Sequence, residues 1–594
     1  MLKRWTLGVI AGLILALFSL YPQYHLRELR GAEFRGAFAS CDLDEMAYAS
    51  YLQPLIDGRP RTNDPYTGRD AGPESLFSIQ FFPNYLTAFP ARIFGLSASQ
   101  MMPVVSVFSA FFTTLVLFWM IVSFTDDDLL SFGATLVVIA GAALITGIGA
   151  INGFFDGGVA YPFFPFLRRP IPSVAFPFLF AFFACLWNGL NADRIRIKYV
   201  YSMLSAACFA VLVFSYFYLW TSAAAVLGGL FLFILVCRSS SFREDIRFLT
   251  ITGGMCLLSL FPYGWLLAGR NKMADKAQLL VFTRDLDLNR NVEIIGVTIL
   301  IIVIGALVLK AIQLNDRRAQ FIAALALSPI LVFNQQLVTG RSLQPFHYEF
   351  YVINYVVLLG AVLLLLTLWQ RFIAARWATV ALASILAASG AVWGYVEATQ
   401  TTYFWDDVNV QRDEAMSVNL RLRELAGTDP VQARSQTTIN LESLQADSQP
   451  TVAPQAVLWA RHQHTFAGLE SWDENKLRYY QLLYFSGADG EWLRRALSGC
   501  ADIEACMALF GWDRFNARLS ANARPLTAGE VEAEAQNYDR FVENFSRESL
   551  GGIDIKYLVV YNETFNNLEN IDKWYERYDR EEFGKYTLYR LRPR

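Results

Sequence analysis

Apolar residues run in long unbroken blocks through the first two-thirds of this chain, with polar residues confined to the gaps. Blocks of roughly 18–22 residues can each cross about 30 Å of hydrocarbon as a helix. They fall at 5–21, 99–122, 131–150, 173–190, 199–218, 221–237, 248–267, 293–311, 321–337, 353–369 and 377–395, so eleven spans are predicted. Beyond about residue 398 the pattern changes. Charge runs such as Arg412-Asp413-Glu414 appear; 553–561 and 586–591 have the β-branched and aromatic content of strands, while 530–545 and 571–578 read as helices. The expected fold is a polytopic α-helical membrane protein with a C-terminal extracytoplasmic α/β domain. Residues 1–398 make the membrane domain, including a first outside loop at 22–98, and 399–594 make the outside domain.

Composition agrees. Of 594 residues, 54% are hydrophobic and only 17% charged, too little charge to cover a water-soluble protein of this length. A net charge of −3 gives no reason to expect nucleic acid as a partner; membrane lipids are the expected surroundings. Met1-Leu2-Lys3-Arg4 before the first block has the look of a signal peptide, but no small-x-small cleavage site follows, so the block is expected to stay as a span with a cytoplasmic N-terminus. Basic residues cluster in alternate loops: Arg194, Arg196 and Lys198; Arg238, Arg243 and Arg247; Lys310, Arg317 and Arg318; Arg371 and Arg376. The positive-inside bias puts those loops in the cytoplasm, with Asp126-Asp127-Asp128 as an acidic exception. An odd number of spans then leaves the C-terminal domain outside, periplasmic if the host membrane is, as expected, a bacterial inner membrane. Cys185, Cys208, Cys237 and Cys256 fall in spans as small apolar residues; Cys500 and Cys506 lie outside, where their spacing allows a disulfide without fixing one.

The candidate chemistry sits in the outside loops. In the first, Asp44-Glu45-Met46-Ala47-Tyr48 opens a short predicted helix, with Asp44 as N-cap, that ends near Ile56 before Asp57-Gly58. Tyr48, Leu52, Leu55 and Ile56 would give it an apolar face lying on the membrane, and the aromatic stretch from Phe81 to Tyr85 would re-enter the interface. Taken alone, an acidic pair at a helix start is a cap and a first-turn acid favoured by the helix dipole. Its place directly after the first span suggests more. The second loop, 151–172, holds Asp156 and then Arg168-Arg169, whose forked guanidinium groups suit phosphate as well as ordinary lipid headgroups. The third, 338–352, packs Arg341, Gln344, His347 and Glu349 into a hairpin between spans, where polar groups are costly unless they face protein or a watery cavity. His462 and His464 have the look of a metal pair but lack Cys or carboxylate companions at ligand spacing. No metal site and no cofactor is expected, although a divalent metal would be compatible with the chemistry. Phosphate-binding loop, dinucleotide fingerprint and nucleophile elbow are all missing from the sequence.

With its many spans, its outside C-terminal domain and an Asp-Glu-x-x-Tyr element (Asp44, Glu45, Tyr48) after the first span, the chain resembles the GT-C superfamily of integral-membrane glycosyltransferases, which includes the protein mannosyltransferases and lipid A aminoarabinose transferases. The resemblance implies an inverting transfer of a sugar from a polyprenyl-phosphate carrier to the hydroxyl of a lipid, glycan or protein acceptor at the outer face. It implies Asp44 as general base, Glu45 as its supporting acid and Tyr48 as part of the sugar site. Arg168, Arg169, Arg341 and His347 would then hold the donor phosphate, with Asp42 and Gln344 as further substrate contacts. Other readings of the same pattern are a lipid or solute transporter or flippase, a non-catalytic membrane scaffold, and a ligase or polymerase acting on diphosphate-linked oligosaccharide.

Overall fold

The computed structural model describes residues 2–594 apart from 71, 156–166, 239–240, 278, 374, 467, 515–523 and 565–566; Asp156 and Phe166 of the second loop therefore lie outside the described residues. By packing, the chain divides into two units. One comprises Met1–His25, Pro103–Trp265 and Phe282–Trp405, and the other Leu26–Met102, Leu266–Val281 and Asp406–Arg594. The first outside loop, grouped with the spans on sequence order, thus packs with the C-terminal residues instead.

The first unit is helical. Among the described residues, ten helices have the length and apolar content to cross a membrane, from Leu2–Arg30 to Arg376–Phe404. Long outward rows such as Leu257, Leu258, Phe261 and Trp265 on Phe242–Ala268 suit a hydrocarbon solvent and not water. This is an integral membrane protein. The eleventh expected span is the helix Arg317–Phe333, which stops at 17 residues, about 26 Å of rise, and is mostly buried among Phe217–Cys237, Asn291–Val308 and Asn354–Phe372. The acidic 126–128 loop has a local cause: Asp127 caps Asp128–Thr146 and pairs with Arg376 at 2.7 Å.

The second unit is built on a five-stranded sheet. Its strands are β1 (Gln436–Asn440), β2 (Ala456–Val457), β3 (Asp554–Tyr561), β4 (Tyr575–Phe583) and β5 (Tyr586–Pro593), in the order β2-β1-β3-β5-β4. β1 runs parallel to β2 and β3, and β5 runs antiparallel to β3 and β4. Alternation along β3 divides the core: Leu558 and Val560 face one cluster with Ile439 and Phe485, while Tyr557 and Val559 face the helix Asp406–Leu425 through Ala415 and Val418. The expected helix at 571–578 is a correction. The helix Glu569–Trp574 ends there and Tyr575 begins the edge strand β4, whose Tyr-Glu-Arg-Tyr-Asp-Arg-Glu-Glu-Phe sequence carries too much charge to read as a strand until it pairs with β5. Cys500 and Cys506 form a disulfide.

Candidate functional site

The helix Asp44–Ile56 has the bounds expected of it, but two details differ. Leu43, not Asp44, holds the cap position, and the Asp42 carboxylate accepts the backbone N–H of Asp44 at 2.8 Å. Asp44 is the first helical residue. Nor does the helix lie on a membrane surface: every residue from Glu45 to Leu55 is buried within the second unit.

The segment that delivers Asp42 and Asp44 is gripped by Asp406–Leu425. Asp413 accepts from the backbone N–H groups of Arg35 and Ala37 and from Arg30 Nε at 3.0–3.1 Å. Arg412 donates to the carbonyl of Phe38 and lies over its ring, and Asn409 bonds both the N–H and the C=O of Ser40. Farther on, Asp64 accepts from the backbone of Tyr66, Thr67 and Gly468, at 2.8–2.9 Å. Gly468 has to be glycine, because a Cβ there would stand 2.0 Å from the Asp64 carboxylate.

Asp44 keeps its carboxyl 44% exposed, the one acid of the trio so placed. Glu45 is fully buried and accepts the N–H of Cys41 at 2.7 Å, while Asp42 is buried as well. Tyr48 belongs to an aromatic core, edge-on to Phe77, which stacks on Phe466 with centroids 4.5 Å apart. Opposite Asp44 stands a residue that the sequence offered only as a weak metal candidate. His462 Nε2 is 3.3 Å from Asp44 Oδ1, and its Nδ1 is 3.7 Å from Asp447 Oδ2.

Asp447 is itself anchored. Arg461 donates to it from Nε at 2.6 Å and from the backbone at 3.0 Å, while Ser50 and Tyr66 donate to its carbonyl. Burial works against charge on His462, but the hydrogen bond to Asp44 and the negative charges of Asp44 and Asp447 outweigh it and raise its pKa to about 9. His464, two residues on, is buried against Trp472; burial first, then the charge of His462, lowers it to about 3. Asp447 is held below the usual carboxylate range: burial opposes this, and Arg461 and His462 overcome it. On the far side of Arg461, burial pushes Glu504 up to about 7. Among the described residues no three His, Cys, Asp or Glu side chains gather as a metal site.

In the first unit, three of the expected phosphate and substrate residues come together. Arg168 and Arg169 are buried, and the Arg168 guanidinium lies 4.9 Å from the centre of the Tyr351 ring. His347 meets Tyr351 edge-on at 5.4 Å, stacks on Tyr218 at 4.7 Å and hydrogen-bonds the Tyr216 hydroxyl. Gln344 accepts from Tyr218 at 3.5 Å with its backbone in the left-handed region, φ 32°, a strained state of the kind concentrated at functional sites. A π-helical turn, Glu349–Ile353, follows. Arg341 stands apart, exposed and over Phe282. The basic residues of 268–292, a segment shared between the two units, are largely committed: Arg270 pairs with Asp275, Arg284 donates to Leu337, and Arg290 pairs with Asp287 and Glu349.

No protein-family model and no curated protein matches the chain. Among solved structures it is similar to ArnT from Cupriavidus metallidurans bound to undecaprenyl phosphate, at 11% identity and a TM-score of 0.41 over 96% of this chain and 97% of that one. The functional reading below is carried by the site's geometry.

Proposed function

We propose that the protein is an inverting membrane glycosyltransferase that moves a sugar from a polyprenyl-phosphate carrier to an acceptor hydroxyl at the outer face of the membrane. The observation that carries this reading is Asp44: a half-exposed carboxylate on the first turn of a rigidly packed helix, beside the positively charged His462. The acceptor oxygen attacks the anomeric carbon while Asp44 takes its proton, and the bond from that carbon to the carrier phosphate breaks with the electron pair leaving on phosphate. Arg168 and His347, which both meet Tyr351, suit the growing phosphate charge together with the buried Arg169, and Gln344 suits a neighbouring hydroxyl. Arg341, exposed, would add a weaker contact. Glu45 and Asp42 act by shaping the loop that carries Asp44, and Tyr48 by supporting it from the aromatic core. The orientation with the second unit outside, in a bacterial inner membrane, belongs to the same proposal.

The test is transfer of radiolabelled sugar from a panel of synthetic polyprenyl-phosphate sugars by purified protein, wild type beside Asp44→Asn. Turnover with one donor, reduced about 10³-fold or more in the variant, is expected. Turnover only from diphosphate carriers would make the protein an oligosaccharide ligase or polymerase. Donor binding without turnover, indifferent to the substitution, would turn the reading to a transporter or scaffold.

A further inference from the structure

We infer that His462 is a positioning residue for Asp44, clamped from behind by Asp447 and Arg461 so that its imidazole fixes the direction of the Asp44 carboxylate and supplies its counter-charge. The inference rests on the proposed role of Asp44 and adds to it a second-unit residue far along the chain.

Three observations lead here. His462 reaches both carboxylates through different ring nitrogens, Nε2 toward Asp44 at 3.3 Å and Nδ1 toward Asp447 at 3.7 Å, so its ring plane is set by the line between them. Asp447, with no exposed side-chain surface, is in turn fixed by two donors from Arg461. The helix bearing Asp44 also holds Asp447 directly, since Ser50 donates to the Asp447 carbonyl at 3.2 Å. The distance between the carboxylates is therefore controlled at both ends, and the imidazole fills it. A carboxylate on the first turn of a helix otherwise has two free side-chain torsions; an oriented cationic donor removes that freedom before substrate arrives.

The charged groups around this shell come from several elements. Asp44 faces His462 from Asp44–Ile56 and Asp447 from Ser443–Ser448; Arg461 and His464 flank it in sequence, and Glu442 and Glu504 act on Arg461 from the cap of that short helix and from Ile503–Phe510. The balance leaves the imidazolium protonated through neutral pH, and the pairing with Asp44 is lost only when it deprotonates in the alkaline range.

The chain has four histidines, His25, His347, His462 and His464, which makes a histidine-specific titration readable in the whole protein. Full-length protein carrying isotope-labelled histidine is titrated by NMR in detergent, with His462→Gln supplying the assignment. One imidazole titrating near pH 9 is expected, its midpoint falling by a unit or more in Asp44→Asn. In the transfer assay, His462→Gln, which can still donate to Asp44 but does not titrate, is expected to lower kcat about tenfold with donor KM unchanged and to abolish the alkaline limb of the pH profile. A midpoint indifferent to Asp44→Asn, or a His462→Gln enzyme with wild-type rate and pH profile, overturns the inference while leaving the proposed reaction intact. A wild-type protein that transfers from none of the carriers overturns the reaction instead, and the titration then decides the Asp44–His462 coupling by itself.

Discussion

His462 Nε2 lies 3.3 Å from Asp44 Oδ1, although 418 positions separate the two residues. That contact ties the first outside loop to the C-terminal residues at the one acid of Asp42, Asp44 and Glu45 that faces solvent. It also sets two histidines, two positions apart, on opposite sides of neutral charge.

The histidine pair predicts how stability changes with pH. His462 has a folded pKa of about 9, above its unfolded value, so its contribution is fully present below about pH 6.5 and is lost as pH rises through 9. His464, folded at about 3, is neutral in the native state; the unfolded chain binds the proton first, so stability is lost as pH falls below about 6.5. Thermal unfolding of the purified protein from pH 4 to 10, with His462→Gln alongside, checks this. The variant is expected to be less stable than wild type by about 3 kcal/mol at neutral pH and to converge on it above pH 9. A gap that persists unchanged at pH 10 would mean that the histidine acts by packing and not by charge.

Arg168 and Arg341 are expected to behave differently. Arg168 is buried with its guanidinium over Tyr351, and lysine cannot reproduce a flat group stacked on an aromatic ring. Arg168→Lys should raise the donor KM about tenfold with a smaller effect on kcat, whereas Arg341→Ala, exposed, should stay within about threefold. Steady-state transfer with donor varied gives both numbers. Equal effects would remove the distinction drawn between the two arginines.

The residues themselves explain which parts of this were legible in the sequence. The bounds 44–56 could be read because Asp57-Gly58 stops the helix, with Gly58 at φ 91°. The cap was misassigned because Asp42, Asp44 and Glu45 crowd four positions, and only the path of the chain decides which carboxylate folds back over the first turn. The inward turn of the helix was hidden for a similar reason: its partners, Asp447, Phe466 and the turn Gln449–Thr451, lie some 400 positions away. His462 carried one signal, its pairing with His464, which points to metal and not to Asp44, and the charge run at Arg412-Asp413 marks a polar domain without showing that it grips Arg35–Phe38. Spans were easier. Their signal is local, and even Arg317–Phe333 differs from the expected 321–337 by a shift of four residues and not in kind.

The disulfide offers a test of the second unit alone. It closes a loop of six residues' separation beside the buried cluster containing Leu497, Cys506 and Leu509. Loop-closure entropy for so short a ring is worth about 2 kcal/mol. Cys500→Ala should lower the unfolding free energy by about that amount, and reductant should lower the wild type toward the variant without lowering the variant further. A reductant effect that survives in Cys500→Ala would have to come from elsewhere.

Helix packing in the first unit is testable without any assumption about function. Arg376–Phe404 runs along Asp128–Thr146 so closely that a Cβ at Gly390 would stand 2.7 Å from the backbone carbon of Leu136, and one at Gly133 would stand 2.6 Å from the carbonyl of Ala383. Between membrane helices, such backbone-to-backbone approach replaces the hydrophobic drive that water supplies elsewhere. Neither contact is the tip of a flexible side chain, so an added methyl has to push the helices apart, at a cost of about 1–3 kcal/mol. Gly305, on Asn291–Val308, is the matched control, since a Cβ there meets nothing within 4 Å. Gly390→Ala should therefore lower the melting temperature in detergent by several degrees, while Gly305→Ala leaves it unchanged or slightly higher through its better helix propensity. The seam has a further consequence: Glu397, one turn beyond Gly394 on the same helix, accepts the N–H of Ala150 at 3.0 Å and so holds the chain as it leaves the membrane helix Asp128–Thr146. If Gly390→Ala melts like wild type, the two helices are not in backbone contact and that anchoring of Ala150 falls with it.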